Sequence, residues 1–205
     1  MITRKTLVGL TCLAALATGT LPALTAEKSI IFAGGCFWSV ETNFDHVPGV
    51  ISTASGYTGG HLDNPTYKDV ITETTGHREA VRVTYDPAKV SYETLLDVFW
   101  HQSDPTDATG QFCDKGESYT SAIYTGNDEE RNIAERSKAK IAGELKQSVA
   151  TLIKPAATFY PAEEYHQNFA EKNPAHYTNY RVGCRRDASV AAIWGDTAYR
   201  GIEKH

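Results

Sequence analysis

The sequence predicts an α+β fold, a split β-α-β sandwich, and three observations carry that prediction. Between residues 29 and 125 six segments follow the order strand, helix, strand, strand, helix, strand. One strand alternates residue by residue between two faces, as a half-buried strand does. The two helical segments carry apolar side chains at three- and four-residue spacing.

The elements are read in chain order. "SIIFAGG" (29–35) is an apolar strand running into two glycines, and "CFWSVETNF" places Phe37, Val40, Glu41 and Phe44 on one helical face. "VPGVISTASGYTGG" holds a strand between a Pro-Gly turn and a glycine-rich loop. In "HREAVRVTYDP" one face receives His77, Glu79, Val81, Val83 and Tyr85, and the other Arg78, Ala80, Arg82 and Thr84. "SYETLLDVFWH" starts a helix at an N-cap serine, Ser91, and carries it to His101; "YTSAIYT" is the fourth strand. This is the ferredoxin-like order, with helices packed on one face of an antiparallel sheet. "NDEERNIAERSKAKIAGELKQ" adds a long helix with Ile133, Ala134, Ser137, Ile141 and Leu145 inward. A further strand, a helix over "AEEYHQNFAEKN" and an irregular C-terminal tail from Pro174 complete the expectation. No internal repeat, low-complexity run or linker divides it.

The first 26 residues read as a separate segment. "MITRK" is basic, "TLVGLTCLAALATGTL" is apolar and small, and "PALTA" ends at Ala26 before Glu27. That layout is a secretory signal peptide, so the expectation is an exported, periplasmic or secreted protein whose single domain spans 27–205. The apolar run is interrupted by Gly9, Thr11, Thr18 and Gly19, which argues against a membrane anchor. Without Arg4 and Lys5, 18 basic side chains face 25 acidic ones, a net of about −7. With no basic stripe interleaved with aromatics, nucleic acid is not an expected partner. No apolar surface stripe demands more than a monomer.

Beyond the leader, three cysteines remain: Cys36, Cys113 and Cys184. An odd number in an exported chain flags a reactive thiol. With no C-x-x-C or H-E-x-x-H spacing, neither a metal nor another cofactor is expected. The only methionine is Met1, inside the leader. Cys36 stands where a strand turns into a helix, and the unpaired N–H groups there favour an anion, so the expectation is a thiolate-prone nucleophile. The glycines before it would open an approach for substrate.

Glu79 falls on the apolar face of its strand. Burial raises a carboxyl pKa, which makes Glu79 a candidate general acid. Tyr67 in "DNPTY" and Tyr119 in "DKGESY" are candidate hydroxyl donors to a developing charge. Phe37 and Trp38 form an apolar wall beside the cysteine.

These residues also carry a family resemblance. "GGCFWSVE", "GYTGGHLDNPTY", "TGHREAVRVTYDP", "LLDVFWHQSDPT", "SYTSAIY", "FYPAEEYHQNF" and "EKNP" resemble, in order, the motifs of peptide methionine sulfoxide reductase A. The resemblance implies a ferredoxin-like plait and attack by Cys36 on the sulfoxide sulfur of oxidised methionine, free or protein-bound, with selection of the S epimer at sulfur. It implies that Glu79 protonates the sulfoxide oxygen, assisted by Tyr67 and Tyr119. Phe37 and Trp38 would hold the methyl group, and Asp114 would order a water near the site. Cys36 would be left as a sulfenic acid. The sequence departs from the common pattern after "KNP", where Thr178 stands near the place of a resolving cysteine. Cys184 in "RVGCRRD" is the favoured resolver, and Cys113 is either a second relay thiol or a bystander. The resulting disulfide would be opened by a thioredoxin-like reductant.

Two other readings remain at this point. A cysteine hydrolase would pair Cys36 with His77 or His101 as base. A non-catalytic domain would use Phe37, Trp38 and the tyrosines as an aromatic cage for a cation.

Overall fold

The computed structural model describes residues 26–203. All of the expected leader except Ala26 lies outside the described residues. The chain forms β1 (Lys28–Ala33), α1 (Phe37–Asp45), β2 (Val50–Thr58), α2 (Tyr67–Val70), β3 (Arg78–Tyr85), α3 (Tyr92–Trp100), β4 (Gly110–Gln111), β5 (Asp114–Lys115), β6 (Ala122–Thr125), α4 (Asp128–Leu145), β7 (Leu152–Pro155), β8 (Phe159–Pro161), α5 (Phe169–Lys172), α6 (Pro174–Gly183) and α7 (Arg186–Trp194). A six-stranded sheet runs β7-β6-β1-β3-β2-β8, and β4 and β5 form a separate hairpin. Its middle four strands, β6-β1-β3-β2, are antiparallel throughout and are the four strands expected of the split β-α-β order. β7 adds in parallel to β6 at one edge, and β8 antiparallel to β2 at the other.

The alternation of β3 determines which face is dry. Val81, Val83 and Tyr85 join the main core, whereas Arg82 between them is exposed. Phe32 of β1 lies between Phe44 of α1 and Phe99 of α3, with ring centroids 5.0 and 4.9 Å apart, so both helices cover the same face. Stacked aromatic pairs of this kind add about 0.5–1.5 kcal/mol each beyond area burial. Small residues, Ala33, Ala80 and Ala122 with Tyr124, line the opposite face beneath Phe159 of β8. α4 docks on α3 through Ala134 and Ile141, and Trp100 Nε1 donates to Ser137 Oγ at 2.7 Å.

The C-terminal region departs from the expectation twice. The segment from Pro174 is helical, with Pro174 in the first turn of α6, where its missing N–H costs nothing. Each of these helices buries only a thin stripe: Tyr177 from α6, and Arg186, Val190 and Trp194 from α7. A stripe that thin gives little periodicity to read. Trp194 is pinned by Nε1 donating to the Ser103 carbonyl at 2.8 Å, and Arg181 pairs with Asp187 across the α6–α7 corner. Conversely, the helix expected over 162–173 shrinks to α5, preceded by turns. The Gln167 side chain bonds Ser55 N–H and the carbonyls of Ser55 and Ala162, and the Asn168 N–H donates to Glu41 Oε2. These long-range bonds tie the turn to β2 and α1, and Asn168 takes a left-handed backbone that a continuous helix would exclude.

Candidate active site

β1 ends at Ala33, and Gly34 and Gly35 turn the chain so that Cys36 becomes the N-cap of α1. Gly35 has φ +82°, and a Cβ placed there would stand 2.5 Å from Cβ of Gln111. The second glycine therefore serves the close approach of the β4–β5 hairpin. Cys36 itself is 6% exposed and is the one unpaired cysteine among the described residues.

Glu79, on the central strand β3, is 2% exposed, and its Oε2 accepts the Phe37 N–H at 2.9 Å. The acid expected from strand alternation thus meets the backbone of the residue after the nucleophile. Burial pushes its pKa up to about 8, against the Phe37 N–H, which pulls it down; Asp114 and Glu73 push it further up. Glu79 is therefore mostly a neutral acid at pH 7.

Cys36 does not follow the expectation of a lowered pKa. Burial and the nearby Glu79 push the thiol up, and they outweigh the Trp38 N–H and Tyr180 hydroxyl that favour the thiolate. The helix start acts in the expected direction, but a sulfur shut away from water gains less from it than it loses in solvation.

Tyr67 opens α2 behind Thr66, whose side chain closes a capping box with Asp69. Its phenol bonds that of Tyr119, and Glu79 and Cys36 act electrostatically on both. Burial is the main cause that pushes both phenols up, so they stay protonated donors. Asp114, on β5, is pushed up by burial and pulled down by Tyr180, Arg186 and Lys115. The structure therefore gathers Cys36, Glu79, Tyr67, Tyr119 and Asp114 around one sulfur.

Phe37 and Trp38 build a wall, but from partners the motifs do not announce. Phe37 packs against Tyr57 and His166, and Trp38 stacks on Phe169 with centroids 3.7 Å apart. Trp38 Nε1 donates to His166 Nδ1 at 3.0 Å, so the neutral ring carries its proton on Nε2. Burial pulls the His166 pKa down, in keeping with that neutral form. His166, Tyr180 and Arg186 were not singled out in the sequence; "EEYHQNF" was the available signal for the first.

Cys113 and Cys184 are joined in a disulfide across 71 residues, with Cα atoms 5.0 Å apart. Cys113 is exposed at the turn of the β4–β5 hairpin, and Cys184 is half-buried at the end of α6. With Asp114 they are the one group of three possible metal ligands within 4.8 Å among the described residues, but the disulfide uses both sulfurs.

The two histidines of the hydrolase reading are engaged away from Cys36. His77 accepts the Gly60 N–H and bonds the Leu62 carbonyl, whereas His101 bonds the Asp97 carbonyl and Arg200. Trp38, stacked on Phe169 and flanked by His176 and Tyr180, offers no open cage.

The family model described as peptide methionine sulfoxide reductase matches residues 28–198, which include every residue of this site. The chain belongs to that family. Peptide methionine sulfoxide reductase MsrA 2 of Caulobacter vibrioides is 54% identical over 179 residues, covering 86% of this chain and 91% of the relative. MsrA of Bacillus licheniformis is 52% identical over 174 residues, 83% and 96% of the two chains. Among solved structures, reduced Mxr1 from Saccharomyces cerevisiae superposes with a TM-score of 0.69 at 31% identity, covering 75% of this chain and 88% of Mxr1. Methionine sulfoxide reductase A of Corynebacterium diphtheriae gives 0.65 at 36% identity, covering 76% and 79%. As a peptide methionine sulfoxide reductase, the chain has its nucleophile candidate free and its other two cysteines oxidised together.

Proposed function

We propose that this chain reduces methionine S-sulfoxide, free or within oxidised proteins, to methionine, with Cys36 as nucleophile and Glu79 as proton donor. One observation carries the reading: an unpaired, buried cysteine and a neutral buried carboxyl meet across a single backbone N–H, that of Phe37. A sulfoxide oxygen becomes a good proton acceptor as its sulfur is attacked, and a neutral acid beside it lowers that barrier. Cys36 sulfur attacks the sulfoxide sulfur and Glu79 protonates the oxygen, while the two phenols hydrogen-bond it. The bond between oxygen and the substrate sulfur then breaks, and the oxygen passes to Cys36. The sulfoxide is reduced by two electrons to methionine and Cys36 is oxidised to its sulfenic acid. Phe37 and Trp38 hold the methyl group, which selects a thioether-derived sulfoxide over an acyl substrate.

For recycling, the Cys184 thiol attacks the sulfenic sulfur and releases water. Cys113 then exchanges with the new bond, giving the Cys113–Cys184 disulfide and free Cys36. A thioredoxin-like dithiol opens that disulfide at the exposed Cys113 sulfur. Residues 1–26 direct export, so this reductant acts outside the cytoplasm. No helix among the described residues is long and apolar enough to cross a membrane.

The test is an assay of methionine formed from the S-sulfoxide with dithiothreitol as reductant. The native chain turns over and Cys36→Ser forms no methionine; full activity in that variant refutes the reading.

A further inference from the structure

Helix α6 brings a third phenol to the reacting sulfur, one that the family motifs do not mark. Tyr180 lies one turn before Cys184, whose N–H donates to the Tyr180 carbonyl at 2.9 Å, so phenol and disulfide ride on the same turn. The ring stands edge-on to Trp38, with centroids 5.7 Å apart. Its hydroxyl donates to Asp114 Oδ2 at 2.5 Å, the length of a bond to an ionised acceptor. The same hydroxyl acts on Cys36, where it favours the charged form of the sulfur.

Asp114 faces the other way as well. A carboxylate oxygen of Asp114 and the sulfurs of Cys113 and Cys184 all lie within 4.8 Å of one another, and the Cys113 sulfur is 3.7 Å from Oδ1. Asp114 thus stands between the resolving thiols and Tyr180, and Tyr180 stands between Asp114 and Cys36.

We infer that Asp114 and Tyr180 form a proton shuttle for the recycling step, carrying the proton of the resolving thiol to the oxygen that leaves Cys36. The inference rests on the sulfenic acid of the proposed function. Resolution makes one sulfur–sulfur bond and breaks one sulfur–oxygen bond, and the departing hydroxyl needs a proton to leave as water. The Cys184 thiol gives its proton to Asp114 as its sulfur attacks Cys36. Tyr180 gives its own proton to the leaving oxygen and takes the one held by Asp114. The products are one disulfide and one water, and the pair ends as it began.

The surroundings favour such a relay. Arg186 is 1% exposed, lies 4.7 Å above the Phe112 ring, and leaves Nε and Nη1 without partners. This buried cation favours the charged forms of both Asp114 and Tyr180, offsetting part of what burial does to each. The location also couples the two groups, because the helix that carries the Tyr180 phenol ends at Cys184.

The test uses the full chain, reduced and freed of reductant, mixed with one equivalent of methionine S-sulfoxide. Methionine formation and the decay of dimedone-reactive Cys36 are followed in parallel. In Tyr180→Phe the decay of the sulfenic acid slows by a factor at least ten times larger than methionine formation does. Asp114→Asn, a change on the β4–β5 hairpin rather than on α6, shows the same split. The shuttle is overturned if both variants lose their sulfenic acid at the native rate, or if both steps slow by equal factors in each. If the native chain itself forms no methionine, the proposed function falls and takes the shuttle with it. Methionine from the native chain with unimpaired decay in the variants removes the shuttle alone.

Discussion

Replacing Glu79 with Gln keeps the shape of the side chain and an oxygen to accept the Phe37 N–H, but removes the transferable proton. A positioned general acid contributes roughly 10²- to 10⁴-fold, equivalent to about 3–5 kcal/mol of barrier. The first-turnover rate in Glu79→Gln is therefore expected to fall by at least a hundredfold, with substrate affinity changed far less. The pKa of about 8 sharpens this into a pH profile. The native carboxyl is about nine-tenths protonated at pH 7 and about one-eleventh at pH 9, so its contribution to the native rate should fall roughly tenfold between them. In the Gln variant that descending limb should vanish, since the group that titrates is gone. Rapid-quench measurement of methionine over pH 6 to 9.5, with enzyme in excess, reads both effects. A variant rate within threefold of native, or a descending limb that survives the substitution, would refute the assignment of Glu79 as the acid.

Three further outcomes follow from the same structure. Because burial raises the Glu79 pKa from the ordinary 4.5 to about 8, its stabilising contribution is complete below pH 4.5 and lost as pH rises through about 8. Urea unfolding should show the native chain weakening from pH 5 to pH 9 by about 4 kcal/mol more than Glu79→Gln, and equal slopes would contradict it. Cys184→Ser and Cys113→Ser should each lose the cross-link over 71 residues, about 4 kcal/mol by loop entropy. With a thioredoxin-type reductant Cys184→Ser should stop after one methionine per chain, and continued turnover would exclude Cys184 as resolver. Gly35→Ala should lower stability by about 2 kcal/mol, from left-handed strain and the clash with Gln111. An unchanged melting temperature would mean that the hairpin gives way.

The parts of the site legible in the sequence are those that depend on short-range pattern. Two-residue alternation in β3 was enough to put Glu79 on the buried face, and Gly-Gly-Cys after an apolar strand placed Cys36 at a helix start. The four-strand order followed from element order, because β-α-β crossovers have few alternatives. What the sequence withheld depends on distant partners. Nothing local says that Gln167 and Asn168 bond Ser55 and Glu41, so the expected helix there was too long. The raised thiol pKa is not legible locally, because the helix start is a local feature, whereas the burial that outweighs it comes from the whole fold. The tail helices escaped notice because Tyr177, Val190 and Trp194 are too sparse to give a period. Tyr180 escaped with them.

The site also unites the firmest and the loosest parts of the molecule. Glu79 belongs to β3, which β2 pairs along its whole length and β1 from Val81 to Tyr85. Amides of such a strand exchange with deuterium only when the whole domain unfolds. Cys113 and Cys184 sit on an exposed hairpin turn and at a helix end, which open by local fluctuation. Heat, ageing or a nicking protease should therefore reach the recycling apparatus first. A worn molecule would still remove the oxygen from one methionine, and then stop: the catalyst would decay into a stoichiometric reagent before it unfolds.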